Sequence, residues 1–256
     1  MKAVILAGGL GTRLSEETSI IPKPMVEIDG KPILWHLMKN LYSQGIKEFI
    51  ICCGYKGLKI KEFFLNYGLH SSDIVYDGKT QKIEILKTDN EDWKIICADT
   101  GLNTMTGGRL KKIENYLSDD EPFFMTYGDG LSNIDINELL NFHKKNSVLA
   151  TLTSVVPPGR FGSLKIENDK VSKFIEKPEG DGSFVNGGFF ILEKKVLSLI
   201  KGDETVWEEY PLENLAKSGQ LNAFLHKGFW QPMDTLRDLN YLKMLIKENK
   251  APWVNW

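Results

Sequence analysis

The sequence predicts an α/β fold built on a doubly wound, mostly parallel sheet. Short apolar runs in the first half of the chain are continuous rather than alternating, as expected for strands buried on both faces. Segments with helical periodicity follow most of these runs, which is the pattern of right-handed crossovers. Glycines come directly after two of the runs, at 8–9 and in Gly128-Asp129-Gly130. Because ligands of such sheets bind at the carboxyl ends of strands, these glycines mark the expected site.

The first half supplies most of the predicted parallel strands and their helices. The helix that follows the first strand places Ile33, Leu37 and Leu41 on one face and stops at Gly45. Thr106 is expected to open a later helix. The predicted strands are 2–7, 49–53, 83–86, 94–98 and 123–127, and the predicted helices are 32–44, 58–67, 107–117 and 135–146.

From residue 150 onward the pattern becomes richer in strands and turns. Residues 163–167 and 170–176 alternate on either side of Asn168-Asp169, which predicts a hairpin. Thr235 is expected to cap the last helix, which ends near residue 249. The other predicted elements are strands at 150–155, 184–192 and 221–226 and a helix at 209–218. No linker divides the chain, so we expect one domain over residues 1–256.

Composition limits the partners and the compartment. The net charge of −2 provides no basic field for nucleic acid or for a membrane surface, so an anionic ligand has to be bound by local charge. No apolar run approaches the roughly 18 residues of a membrane span. Cys52, Cys53 and Cys97 form no C-x-x-C pair and lie in apolar runs, which predicts buried, reduced thiols and a cytoplasmic protein. Four histidines without metal-ligand spacing argue against a zinc site.

The most informative segment is the glycine-rich turn after the first strand, Gly8-Gly9-Leu10-Gly11-Thr12-Arg13. Its glycines let backbone N–H groups approach a ligand that a Cβ atom would exclude. Arg13 and, ten residues further on, Lys23 add two positive charges. Together these features favour a cradle for a polyphosphate.

Three other interpretations of the turn are weaker. An ordinary glycine-rich turn would not explain the added arginine and lysine. A dinucleotide-binding fingerprint needs a third glycine where Leu14 stands, which disfavours a dehydrogenase. A P-loop is absent, because Gly78-Lys79-Thr80 has Asp73 in place of the required earlier glycine, and these residues are expected to form a surface turn after Tyr76.

The segment at 2–14, followed by Pro22-Lys23-Pro24, resembles the signature of the sugar-1-phosphate nucleotidyltransferases. Supporting strings occur along the whole chain: Gly128-Asp129-Gly130, Glu176-Lys177-Pro178 and Asn186-Gly187-Gly188. The resemblance implies a Rossmann-like sheet of the GT-A-like type with β-rich sugar-binding insertions. Residues 1–149 would then form mainly the nucleotide-binding half, and residues 150–256 mainly the sugar-binding half.

A narrower resemblance is to the cytidylyltransferase branch of this family, which acts on glucose 1-phosphate. It rests on strings at 15–18, 52–57, 99–101, 105–109, 157–162, 228–235 and 251–253. Ile21 departs from the branch, which usually has a second lysine there, and Thr104 replaces the usual serine. The branch implies Mg²⁺-dependent transfer of CMP from CTP to alpha-D-glucose 1-phosphate, with release of pyrophosphate. It also suggests a role in dideoxysugars of a lipopolysaccharide or another bacterial surface polysaccharide.

The resemblance assigns the catalytic charges. The sugar phosphate is already an anion, so the reaction needs charge neutralisation and positioning rather than a general base. Arg13 would bind the triphosphate and Lys23 the α-phosphate, whereas the alternative for each is a solvated surface charge. Asp129 and Asp234 would hold one Mg²⁺, with a turn residue and a helix-cap residue as the respective alternatives.

The resemblance also assigns the nucleotide and the sugar contacts. Arg109 would offer donors to the O2 and N3 edge of cytosine, unless it is a solvent-facing helix charge. The expected nucleotide-binding residues are Leu6, Ala7, Gly8, Gly9, Leu10, Gly11, Thr12, Arg13, Lys23, Thr104, Arg109 and Gly128. The expected sugar-phosphate residues are Tyr127, Glu176, Lys177, Asn186 and Gly187. Trp207, Phe229 and Trp230 are expected to form either an apolar wall for the sugar ring or part of the core.

Two rival functions stay open at this stage. One is the same chemistry with another nucleotide, such as dTTP or UTP, or with another sugar 1-phosphate. The other is a non-catalytic regulatory subunit that binds a nucleotide sugar, which the retained charges at Arg13, Lys23, Asp129 and Asp234 disfavour. A homo-oligomer is expected, with Tyr67-Gly68-Leu69-His70, Trp253 and Trp256 as candidate interface residues.

Overall fold

Strands and helices alternate along the chain in the computed structural model, which describes residues 1–11, 18, 20–88, 91–157, 163–175 and 184–256. The strands are β1 (Ala3–Ala7), β2 (Glu27–Ile28), β3 (Lys31–Pro32), β4 (Glu48–Cys53), β5 (Ser72–Asp77), β6 (Lys82–Thr88), β7 (Lys94–Asp99), β8 (Phe123–Tyr127), β9 (Gly130–Ser132), β10 (Ala150–Val155), β11 (Ser163–Glu167), β12 (Lys170–Ile175), β13 (Val185–Leu192), β14 (Leu221–His226) and β15 (Trp230–Pro232). The helices are α1 (Ile33–Ser43), α2 (Gly57–Leu65), α3 (Tyr67–His70), α4 (Thr106–Lys112), α5 (Ile136–Asn146), α6 (Tyr210–Lys217) and α7 (Leu236–Lys247). Short 3-10 turns lie at Lys23–Met25, Glu114–Tyr116 and Lys194–Leu199.

Seven strands form the central sheet, in the order β14–β10–β13–β8–β1–β4–β7. Strands β8, β1, β4 and β7 are parallel, and β10 is parallel to β14. Strand β13 runs antiparallel to both β8 and β10. The sheet is therefore mixed and mostly parallel, which confirms the predicted fold class. Because Leu6 of β1 lies opposite Tyr127 of β8, these two strands end at the same edge of the sheet.

Strand β1 is buried on both faces, which explains its continuous apolar sequence. Ile5 packs into a core cluster that includes residues of α1 and α7, and Val4 packs into a second cluster on the other face. Both side chains are completely buried. Burial of a Val or Ile side chain stabilises the fold by roughly 1.5–3 kcal/mol. The strand therefore fixes the start of the glycine-rich turn that follows it.

The predicted beginnings of α5 and α7 are confirmed by their caps. The Asp135 carboxylate accepts hydrogen bonds from the backbone N–H groups of Asn137 and Glu138. At α7, Thr235 and Asp238 form a reciprocal capping box. The backbone N–H of Asp234 also donates to Asp238, at 3.1 Å. The loop that carries Asp234 is thereby fixed to the first turn of α7.

Other local predictions differ from the structure. The helix predicted at 107–117 ends at Lys112 and is followed by a separate 3-10 turn. Thr106 does not cap α4, because Met105 takes that position and the Thr106 hydroxyl bonds to Glu208 instead. The sequence did not predict β5, which pairs with β6 in an exposed hairpin. Residues 78–80 form the turn of this hairpin, as predicted.

The cysteines and the carboxyl-terminal aromatics are placed mostly inside the fold. All three cysteines are free thiols, and burial raises the pKa of Cys52 to about 12. Cys97 is half-buried rather than buried. Trp253 and Tyr67 are buried within their own chain, so the expectation of an exposed interface at these two residues is wrong.

In the ranges that the structure describes, every helix is too short or too polar to cross a membrane.

Candidate active site

A cavity of about 400 Å³ opens at the carboxyl ends of β1 and β8, and we refer to it as the larger cavity. Its walls combine backbone, hydroxyl groups and charged side chains. It is lined by Leu6, Ala7, Gly8, Gly9, Gly11, Lys23, Pro24, Thr104, Met105, Thr106, Arg109, Tyr127, Gly128, Asp129 and Asp234. Most of the residues predicted for nucleotide binding therefore lie together. Leu10 is 56% exposed and does not line the cavity, while Thr12 and Arg13 lie outside the described residues.

The glycine-rich turn forms the floor of this cavity, and its carbonyls are fixed by the protein. The carbonyl of Gly8 accepts hydrogen bonds from Tyr55 N at 3.1 Å and from Arg109 Nη2 at 3.0 Å. A Cβ atom at Gly8 would lie only 2.2 Å from Arg109 Nη1. Gly11 has a positive φ of 66°, a conformation that glycine adopts readily. Glycine is thus needed at position 8 because the Arg109 side chain lies so close, and it is favoured at position 11 because of the positive φ.

Lys23 lies between the two predicted metal ligands. Its Nζ atom is 2.5 Å from Asp129 Oδ2 and 2.8 Å from Asp234 Oδ1. The Lys23 side chain is 9% exposed, and the two carboxylates are 28% and 22% exposed. Burial alone would lower the pKa of Lys23, but the two carboxylates outweigh that effect and the pKa is raised. The lysine therefore remains an ammonium ion at neutral pH.

Two short strands bring the aspartates together although they are far apart in the sequence. Asp129 immediately precedes β9 and Asp234 closely follows β15, and these strands pair antiparallel with Gly130 opposite Pro232. The backbone N–H of Met233 donates to the carbonyl of Asp129 at 2.8 Å. The two carboxylates therefore converge on the ammonium of Lys23, and their role as metal ligands stays a prediction.

The carboxylate pair fits a divalent metal that takes its remaining ligands from phosphates and water. Mg²⁺ is commonly bound by one or two carboxylates together with substrate phosphates. Within the described ranges no group of three or more His, Cys, Asp or Glu side chains is placed to hold a metal. Two carboxylates do not complete the coordination shell of a metal ion. This donor set therefore fits a metal ion whose other ligands come from a bound polyphosphate and water.

Arg109 is buried, so the alternative of a solvent-facing helix charge is wrong. Its Nη1 donates to Thr100 Oγ1 at 2.6 Å and to Gly101 O at 2.8 Å, and its Nη2 donates to Gly8 O. Burial lowers the pKa of its guanidinium below the ordinary value. The Nη donors thus hold together the chain segments that follow β1 and β7. The second Nη2 proton is donated to Leu102 O at 3.3 Å. A contact with cytosine stays a prediction, and it requires exchange of one of these four bonds if it uses an Nη atom.

Thr104, the other expected base contact, is buried beside a charged pair. Its hydroxyl donates to Asp203 Oδ2 at 3.2 Å and accepts from Lys112 Nζ at 3.1 Å. The Lys112 ammonium also lies 2.6 Å from the same Asp203 oxygen. Thr104 is consequently held in one orientation at the wall of the larger cavity. Ile21, in contrast, packs partly buried against the core and does not line the cavity.

A second cavity of about 90 Å³, the smaller cavity, adjoins the first. Three of the expected sugar-phosphate residues line it, namely Tyr127, Asn186 and Gly187. Glu176 and Lys177 lie outside the described residues. Tyr127 and Asp129 line both cavities, so the two spaces share a wall.

The aromatic residues divide between the core and the smaller cavity. Trp207 is completely buried in the core. Phe229 stacks on Trp253, with ring centroids 5.5 Å apart. Trp230 lines the smaller cavity, and its indole N–H donates to Gly187 O at 2.7 Å. Of the three aromatics expected to form a wall, Trp230 alone lines either cavity.

Sequence reasoning missed Glu208, which bonds to two residues of the larger cavity. Its carboxylate accepts hydrogen bonds from the Tyr127 hydroxyl and from Thr106 Oγ1. Its neighbours in the sequence, Trp207 and Glu209, carry no motif that would single it out. Thr106, Met105 and Pro24 were also not predicted as lining residues.

The fold is that of the nucleotidyltransferases. The family model described as nucleotidyl transferase matches residues 2–246, and the chain belongs to this family. Over its whole length the chain is 57% identical to the glucose-1-phosphate cytidylyltransferase of Salmonella typhi, with 100% of both chains covered. It is 43% identical, again over 100% of both chains, to the probable glucose-1-phosphate cytidylyltransferase of Bacillus subtilis.

A solved structure agrees with the fold. HddC from Yersinia pseudotuberculosis, complexed with GMP-PN, is 27% identical and superposes with a TM-score of 0.69. The alignment covers 96% of this chain and 99% of that chain. A nucleotide ligand is thus present in one structural relative.

Proposed function

We propose that this protein transfers CMP from CTP to alpha-D-glucose 1-phosphate, giving CDP-glucose and pyrophosphate. The observation that carries the reaction type is the ammonium of Lys23 held between Asp129 and Asp234 at the wall of the larger cavity. The full-length identity of 57% to a cytidylyltransferase supports the choice of substrates.

The chemistry follows from the charges. A phosphate oxygen of glucose 1-phosphate attacks the α-phosphorus of CTP, a new P–O bond forms, and the bond to the β-phosphate bridge breaks to release pyrophosphate. The nucleophile is already ionised, so no residue has to remove a proton. The main barrier is repulsion between two anions, and fixed cations lower it most effectively in a water-poor site. Lys23, an ammonium ion at neutral pH, lies in the wall of the larger cavity and is placed for this task.

Mg²⁺ is the metal that we propose for the carboxylate pair. Asp129 and Asp234 would hold it, and when bound it supplies positive charge against the triphosphate. Lys23 would then exchange its contacts with the carboxylates for the α-phosphate. Arg13 would bind the triphosphate from the neighbouring turn.

Recognition of the two substrates is proposed to divide between the two cavities. The backbone at Leu6, Gly8 and Gly9, with Thr104 and Arg109, would bind the nucleotide in the larger cavity. Tyr127, Asn186 and Gly187 would contact the sugar phosphate in the smaller cavity, with Glu176 and Lys177. This division supports the assignment of residues 1–149 mainly to the nucleotide and of 150–256 mainly to the sugar.

A panel of nucleotides and sugar phosphates tests the function. Purified protein is incubated with Mg²⁺, glucose 1-phosphate and each of CTP, UTP, dTTP, ATP and GTP, and pyrophosphate release is measured. A second series combines CTP with mannose 1-phosphate and galactose 1-phosphate. We expect clear preference for CTP and glucose 1-phosphate, with CDP-glucose as product. Equal rates with UTP or dTTP would refute the cytidylyl assignment, and absence of release with every pair would favour a non-catalytic binding protein.

We further propose a homo-oligomer that works in the cytoplasm. The free thiols support a reducing compartment. The exposed apolar side chains of the β5–β6 hairpin, Tyr76 and Leu86 among them, support an association surface. Light scattering of the purified protein tests the oligomer, and the mass of a single chain would contradict it.

A further inference from the structure

Glu208 connects the walls of the two cavities through its side chain. The Tyr127 hydroxyl donates to Oε1, and the Thr106 hydroxyl donates to Oε2 at 2.6 Å. Thr106 lies in the wall of the larger cavity, and Tyr127 lies in the walls of both. A single carboxylate thus holds the hydroxyl groups of two lining residues.

Tyr127 is fixed at two places. Its hydroxyl is held by Glu208, and its ring packs against Gly188, where an added Cβ atom would lie 2.8 Å from Tyr127 Cδ2. Gly188 belongs to the strand that supplies Asn186 and Gly187 to the smaller cavity. The Tyr127 ring is therefore a fixed part of the wall that the two cavities share.

The backbone that carries Glu208 is itself held against α4. The N–H of the fully buried Trp207 donates to Thr106 Oγ1 at 2.9 Å. A Cβ atom at Gly107 would lie 2.7 Å from the carbonyl of Thr205. This close approach leaves Glu208 little freedom to move away from its two partners.

The chemistry of the carboxylate defines the role of the tyrosine hydroxyl. An ionised carboxylate only accepts hydrogen bonds, so the phenol has to use its one proton toward Glu208. Toward any further partner, the phenolic oxygen can then act only as an acceptor. A sugar hydroxyl is a suitable donor for it, and a fully ionised phosphate is not.

We infer that Glu208 is a positioning residue for the sugar substrate: it orients Tyr127 so that the phenolic oxygen accepts a hydrogen bond from a hydroxyl of the sugar. The inference deepens the proposed function and rests on it. Glu208 acts through Tyr127 and does not itself contact the reacting phosphates. Its loss should therefore weaken binding of the sugar phosphate more than that of the nucleotide.

A double-mutant cycle tests this role. Glu208→Gln, Tyr127→Phe and the double variant are compared with the wild type by steady-state kinetics, with KM measured separately for glucose 1-phosphate and CTP. Loss of one well-oriented hydrogen bond predicts a rise in KM for glucose 1-phosphate of about tenfold in each single variant. KM for CTP should change less than about threefold, and the double variant should resemble Tyr127→Phe, because both changes remove the same contact.

Control variants separate positioning from general damage. Glu209→Gln changes an exposed neighbouring carboxylate and should leave both KM values unchanged. Thr106→Val removes the other partner of Glu208 and should affect KM for glucose 1-phosphate less than Tyr127→Phe does. Glu208→Asp keeps the charge and should restore part of the affinity. Thermal melting of every variant identifies those that do not fold, and if Glu208→Gln is among them the aspartate variant replaces it in the cycle.

The outcomes are distinguishable. Multiplicative effects of the two single variants, or equal rises in both KM values, would overturn the role of Glu208 while the wild-type enzyme still produced CDP-glucose. Failure of the wild type to produce CDP-glucose in the same assay would overturn the proposed function and this inference with it.

Discussion

The Lys23 ammonium lies 2.5 Å from a carboxylate oxygen of Asp129, although 106 positions separate the two residues in the sequence. Lys23 sits on a 3-10 turn that begins after Pro22, and Asp129 follows the end of β8. The contact joins the segment after the glycine-rich turn to the adjacent strand end. It places a cation and the carboxylate that we propose as a metal ligand at one point of the cavity wall.

Replacement of Lys23 tests its role in neutralising charge. Lys23→Met should lower kcat on the order of 100- to 1,000-fold, the usual loss for a donor directed at developing negative charge. Pyrophosphate release at saturating substrates measures the effect. Lys217→Met, which changes an exposed lysine on α6, serves as the control. A loss of less than about threefold in Lys23→Met would contradict the role.

The aspartate pair predicts a specific change in metal dependence. Asp129→Asn should raise the Mg²⁺ concentration for half-maximal activity roughly tenfold or more, because a neutral amide is a weaker ligand. Asp234→Asn should act in the same direction. Titration with Mg²⁺, together with Mn²⁺ binding followed by electron paramagnetic resonance, measures both variants. Asp119→Asn, an exposed aspartate paired with Lys194, is the control, and an unchanged titration in the site variants would exclude ligation.

A side chain at position 8 should destabilise the fold. In Gly8→Ala the new Cβ atom would lie 2.2 Å from Arg109 Nη1, so the guanidinium has to move and its bonds to Gly8 and Gly101 weaken. We expect a loss of about 1–3 kcal/mol in the free energy of unfolding, as for other overpacked sites. Gly202→Ala, where no atom lies within 4 Å of the added Cβ, should have little effect. Urea denaturation compares the two variants, and equal stabilities would show that the cavity floor adapts.

Glu91 lies away from the site, and its carboxyl group should make the free energy of unfolding depend on pH. Burial would raise the pKa of Glu91, but hydrogen bonds from Lys39 and Tyr67 outweigh it and the pKa is lowered from 4.5. A carboxyl group whose pKa is lowered by folding stabilises the protein above its unfolded pKa, and this contribution disappears as the pH falls through the folded pKa. Glu91→Gln should therefore cost about 2 kcal/mol at pH 7, the value of a hydrogen-bonded charge. The difference from wild type should shrink below a pH of about 4.5, and denaturation at several pH values measures it. A constant difference down to pH 3 would contradict the assignment.

The strands of the parallel part were predictable because local sequence determines them. β1, β4 and β8 are continuous apolar runs, and burial on both faces is the only environment that suits them. β9 and β15 were not predicted, since each has three residues and exists through its partner far along the chain. β5 was missed because its residues alternate poorly and are mostly exposed in a hairpin that leaves the core.

The same distinction applies to the site. Lys23, Asp129 and the glycines carry local motifs, so the sequence identified them and the structure brings them together. Glu208 is defined by bonds to Tyr127 and Thr106, which are 81 and 102 positions away in the sequence. The sequence also identified Arg109. It did not predict the hydrogen bonds from Arg109 to backbone carbonyls, because these depend on how separate loops pack together. Relations of this kind follow from packing and have no local signal.

The antiparallel strand β13 has a consequence for the order in which the molecule can be assembled. During synthesis β8 emerges well before β13, and until β13 pairs with it β8 is an open edge of the parallel strands. That edge carries the apolar side chains of Phe123, Phe124 and Met125, which are buried in the native structure. An unpaired apolar edge of this kind is a template for self-association. A fragment that ends before residue 185 should therefore aggregate during expression, whereas the full-length chain closes its own edge.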